Sequence, residues 1–257
     1  KEAFLEYDVA KLISTLSVDA QPVVGLISGL PTGPTMDPTG RGGPGWVVDR
    51  QVSELFELRR LQGHPTDIAG DVDLLMVVHP KELPEDTLYA IDQFVMRGGR
   101  LLVFVDPDSE ADESAIDPLD PLSVAIPRSS DLPALFQAWG IQYDPTRMVL
   151  DDKHALQVQA DPSGRPVRHL AVLGLDRDAM NQDDVVTGEL ETLHFSTAGS
   201  LGLSRESTLA MEALAEAMQS IALETIMAVD HSKFLGPPKR SSAFQLPLPM
   251  QSVVVTD

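Results

Sequence analysis

The chain has 257 residues, with 39 acidic against 19 basic side chains and a formal net charge of -20. A field this negative repels phosphate backbones and anionic headgroups, which excludes nucleic acid and a basic-patch membrane contact as expected partners. The chain has no cysteine, so thiol nucleophiles, disulfides and cysteine-ligated zinc are excluded as well.

Hydrophobic residues make up 43% of the chain and aromatic residues only 5%. The core must therefore be aliphatic, which suits a parallel sheet covered on both faces. We expect a single α/β domain over residues 1–257, with room for a smaller β-rich lobe at about 145–200. No run approaches the ~20 apolar residues of a membrane span. Lys1-Glu2-Ala3-Phe4 has no apolar region behind a basic end, so no signal peptide is expected there, and the chain reads as a piece of a longer protein.

Leu5, Val9, Leu12 and Ile13 recur at helical spacing and predict a first helix. Pro22 to Ile27 is a short apolar run between breakers and reads as a buried parallel strand. Ser28 to Gly45 is dense in proline and glycine and reads as a long loop without regular structure. Trp46 to Leu58 predicts an amphipathic helix through Val47, Val48, Val52, Leu55 and Phe56. Leu74 to Val78 is the clearest strand, ended by His79-Pro80. Pro84, Glu85 and Asp86 suit the first turn of a helix, which runs through Ala90, Ile91, Phe94 and Val95 and stops at Gly98-Gly99. Leu101 to Val105 is the next strand, closed by Asp106-Pro107. Such an alternation with short links implies a Rossmann-like or flavodoxin-like sheet, mostly parallel and flanked by helices.

Asp106 to Pro121 reads as a solvated acidic loop. Asp131 is expected to cap a helix through Leu132, Leu135, Phe136 and Trp139 that ends at Gly140. From Met148 to Phe195 the pattern turns β-rich, with candidate strands at Met148–Leu150, Ala155–Val158, Leu170–Leu173 and Leu193–Phe195. A helix is expected between Ser207 and Ile221, and Thr225 to Val229 fits a further strand.

Ligands of open parallel sheets bind beyond the carboxyl ends of the strands, where strand order reverses. The loops there begin at Ser28-Gly29, His79-Pro80 and Asp106-Pro107, and they offer a hydroxyl, an imidazole and a carboxylate. This set resembles an acyl-transfer triad in composition. Ser28 nevertheless lacks the Gly-x-Ser-x-Gly elbow, and the plainer reading is that Ser28 and Asp106 satisfy loop backbone while His79 packs at a strand end. Ser28, Gly29, Trp46, His79, Asp106 and Asp108 are the candidate ligand or partner contacts, and no catalytic residue is assigned.

Thr39 to Gly45 has the glycines of a phosphate loop but no Gly-Lys-Ser/Thr, and no Gly-x-Gly-x-x-Gly follows the first strand. Asp106, Asp108, Glu110 and Asp112 alternate as calcium ligands can, yet Ala111 and Asp117 stand where an EF-type loop needs Gly and Glu. The six His residues show no metal-ligand spacing. Neither a cofactor nor a metal is expected. The proline-rich stretches Pro31–Gly45 and Pro237–Pro249 are candidate partner surfaces. A homo-oligomer stays open.

Three segments carry a family resemblance: Glu6-Tyr7-Asp8-Val9-Ala10-Lys11-Leu12-Ile13 before the first strand, Asp71 to Pro80, and Leu88 to Pro107. The last contains Asp92-Gln93-Phe94-Val95-Met96-Arg97-Gly98-Gly99-Arg100. With Leu135 to Gly140 and Val185 to Leu193, they cover most of residues 5 to 200. The chain resembles auxiliary components of ABC transporters of the gliding-motility type (GldG-like proteins). The resemblance implies a sheet like that of class I glutamine amidotransferases without the Cys nucleophile, and a non-catalytic auxiliary or assembly role. It also implies a periplasmic or extracytoplasmic position, anchored by membrane helices outside this sequence, beside an ABC permease and ATPase. Two other readings of the crevice are a solute- or glycan-binding site and a degenerate amidotransferase- or hydrolase-like enzyme.

Overall fold

The computed structural model describes residues 5, 9, 12, 13, 20–36, 42–112, 127–159, 165–184, 186–204, 229, 230 and 252–255. The expected helix over 207–221, the proline-rich stretch 237–249 and residues 113–126 lie outside these residues. The chain divides into two compact units: residues 1–104 with 253–257, and residues 105–252.

The first unit is built on β1 (Val23–Ser28), β4 (Glu57–Arg60), β5 (Leu74–Val78) and β6 (Arg100–Val105). β1 pairs in parallel with both β4 and β5, and β5 in parallel with β6. Across the sheet the order is β6-β5-β1-β4, with Ser252–Val255 beside β6 at the far edge. The parallel strands thus run 2-1-3-4, the flavodoxin-like order, and the reversal falls between β1 and β5.

Alternation along the strands separates two apolar faces. Val24, Leu26 and Met76 gather with Val52, Leu58, Leu102 and Phe104 on one face. Leu75, Val77, Leu101 and Val103 are buried on the other. Both faces are covered, which is why these strands read as continuous apolar runs.

Two helices connect the strands. α1 (Val47–Leu55) is shorter than expected: Phe56 turns extended (φ -130°, ψ 155°) and the chain enters β4. The expected helix over 46–58 therefore loses its last residues to an edge strand that periodicity missed. Glu57, Arg59 and Arg60 mark that edge: Arg59 pairs with Glu57 and Asp71, and Arg60 with the buried Asp49. Charges of this kind protect an open sheet edge from further pairing. The loop after β1, expected to lack regular structure, holds a short antiparallel pair, β2 (Thr35–Met36) against β3 (Gly42–Gly43).

α2 (Glu85–Met96) starts after Pro84, with Glu85 and Asp86 in its first turn. Thr87, Ala90, Ile91 and Phe94 are its buried stripe, and Gly98 at φ 89° stops it. The Phe94 ring sits against Gly99, where a Cβ would stand 2.5 Å from a ring carbon. Phe94→Ala should therefore destabilise the chain by about 3–5 kcal/mol. A shift of the urea midpoint with an unchanged slope would measure it; a loss below about 1 kcal/mol would mean this core is loosely packed.

The second unit opens with α3 (Pro133–Trp139), ended by Gly140 in the left-handed region at φ 71°. β7 (Ile141–Tyr143) follows and pairs antiparallel with β12 (Leu201–Leu203). β8 (Arg147–Met148) pairs with β13 (Val229–Asp230). β9 (Ala155–Val158), β10 (Val167–Asp176) and β11 (Thr192–Ser196) form an antiparallel sheet with β10 in the middle and a register break between His169 and Leu173. Val149, Leu173, Leu175 and Ala179 make its core, joined by Leu193 and Phe195. The β-rich second half is as expected, with β7 and β12 added to it.

Candidate functional site

In the first unit, Ser28, Gly29 and His79 stand at the carboxyl ends of β1 and β5, on the two strands that flank the reversal of strand order. The Gly29 N–H donates to the Val78 carbonyl (2.9 Å), and the His79 N–H to the Phe104 carbonyl (2.9 Å). His79 adopts φ 50°, a left-handed conformation few non-glycine residues take. Its carbonyl oxygen lies 2.2 Å from where a Cβ on Gly29 would stand. Position 29 therefore admits only glycine at this approach.

The hydroxyl and imidazole expected at the crevice are respectively engaged in a local turn and buried. Ser28 Oγ donates to the Leu30 carbonyl (2.8 Å) and accepts from the Leu30 N–H (3.1 Å), closing a local turn. The His79 side chain is wholly buried. Trp46, half-buried ahead of α1, ties that helix to the loop after β1 through its N–H on the Thr32 carbonyl (2.8 Å).

Asp106 and Asp108 belong to the second unit. The solvated acidic loop expected here is corrected by the structure: Asp106, Asp108, Ser109 and Asp112 are all buried. Local hydrogen bonds make that burial tolerable. Asp106 Oδ1 accepts from the Asp108 N–H (2.8 Å), and the Asp106 N–H donates to Ser130 Oγ (2.9 Å). Arg128 clamps Asp108 through two bonds of 2.7 Å, Nε to Oδ1 and Nη2 to Oδ2. The Thr197 hydroxyl, on a backbone at φ 56°, lies 2.7 Å from the Ser196 carbonyl oxygen, 2.9 Å from that of Asp108 and 3.4 Å from Asp106 Oδ1, and shares its proton among these acceptors. Acidic spacing alone had pointed to solvent. The cationic partner is twenty positions downstream, and no local pattern announces it.

An open cavity of about 690 Å³ lies against α3, β7 and β12, with Asp131, Phe136, Gln142, Tyr143, Asp144 and Arg147 among its lining. Phe136 and Tyr143 meet edge to face, centroids 6.0 Å apart. Burial pushes the Tyr143 phenol far above its ordinary range, and the charges of Asp106, Asp131 and Asp144 add to the rise. Burial likewise raises the Asp131 carboxyl, against the Leu132 N–H that it accepts and with the charge of Asp144 adding to the rise. The expectation that Asp131 caps α3 is corrected: Leu132 holds the N-cap position without a side-chain cap, and Asp131 accepts the Leu132 N–H ahead of it. Three-residue strands such as β7 are too short to show a period.

His154 and Asp151 form a buried pair, Nδ1 to Oδ2 at 2.5 Å. Burial pushes the Asp151 carboxyl up, but the hydrogen bonds from His154 and the Lys153 N–H outweigh it and hold the carboxyl below its ordinary range. A depressed carboxylate contributes stability fully above its unfolded value, and that contribution is lost as pH falls through the folded one. Asp151→Asn should therefore flatten the acid limb of stability below about pH 4. Denaturant titrations of both proteins at matched pH check this; parallel acid limbs would refute the coupling. Among the described residues no group of three His, Asp or Glu side chains is placed to hold a metal ion, and no helix is long and apolar enough to cross a membrane.

The fold and crevice define an α/β protein whose strand-end hydroxyl is held in a local turn and whose strand-end imidazole is buried. Residues 21–229 match the family model of an ABC-type uncharacterized transport system, that of its auxiliary components, and the chain belongs to this family. No curated protein and no solved structure matches it.

Proposed function

We propose that the chain is the extracytoplasmic domain of a gliding-motility-type (GldG-like) auxiliary component, a non-catalytic module that binds a protein partner within an ABC transporter complex. The observation that carries this reading is the family match over residues 21–229. The state of the strand-end groups supports it. An acyl-transfer mechanism needs a serine hydroxyl within reach of an accessible base, whereas Ser28 Oγ is engaged by Leu30 and the His79 ring is buried. Partners under this reading are the permease and ATPase, and the membrane helices lie outside this sequence.

Two experiments test it. Cross-linked co-isolation asks for the partners and is taken up at the close of the Discussion. The position relative to the membrane is accessible because these 257 residues hold no cysteine, so that with any cysteine elsewhere in the full-length protein replaced, one introduced thiol reports on this domain. Tyr89→Cys places one thiol on the exposed side of α2, at a residue 64% exposed. In intact cells carrying the full-length protein, a membrane-impermeant maleimide should label it without permeabilisation. Labelling only after lysis would put the domain on the cytoplasmic side.

A further inference from the structure

We draw no further inference here: the strongest candidate, the surface patch of exposed helical residues Leu5, Val9, Leu12 and Ile13 ahead of β1, carries nothing because nothing in the structure shows what covers it.

Discussion

Gly29→Ala is expected to destabilise the chain by about 3 kcal/mol or more, although it adds a single methyl group. That methyl would stand 2.2 Å from the His79 carbonyl oxygen, well inside contact distance. The obstacle is backbone. It cannot rotate aside, and it is fixed from both directions, by the Gly29 N–H on Val78 and the His79 N–H on Phe104. Relief requires β1 and β5 to part at their carboxyl ends, or His79 to leave its left-handed conformation. Gly70→Ala is the matched control, since nothing lies within 4 Å of its Cβ position, and its effect should stay within about 0.5 kcal/mol. Urea denaturation compares the two. Equal midpoints would show that the Gly29–His79 approach relaxes freely.

The second large effect concerns the loop after β6. Arg128→Ala should cost about 3 kcal/mol, because it leaves the Asp108 carboxylate buried without its bidentate partner. The penalty comes from the stranded charge more than from the lost attraction. Asp108→Asn in the Arg128→Ala background should therefore recover part of the loss, whereas Asp108→Asn alone should destabilise. A double-mutant cycle by urea denaturation reads the coupling. If the two single changes simply added, Arg128 and Asp108 would be independent and the clamp would have no energetic meaning.

These two sites also show where sequence reading stops. Strands β1, β5 and β6 and helix α2 were legible because each is announced locally: an apolar run between breakers, a proline and acids at a helix start, glycines at its end. β4 was not, because Leu58 fits the helical period of the preceding segment as well as it fits an edge strand. Only pairing with β1 decides between them. The strand-end crevice was legible as a place, since Ser28, Gly29 and His79 do lie where the strand order turns. What each residue does there was not legible. The left-handed His79 backbone depends on two non-local hydrogen bonds, and burial of Asp106 and Asp108 depends on Arg128, Ser130 and Thr197, none of them neighbours in sequence. The cavity beside Tyr143 is of the same kind, assembled from α3, β7 and a strand about sixty positions further along.

The central claim is that this domain serves an ABC transporter by contact and not by catalysis. It is tested most directly by cross-linking native membranes and isolating the full-length protein as bait, with mass spectrometry of what accompanies it. The account predicts enrichment of an ABC permease and its ATPase over a bait that lacks this domain. Equal recovery from both baits, or recovery of soluble factors with neither transporter subunit, would contradict it and return attention to the strand-end crevice as a ligand site.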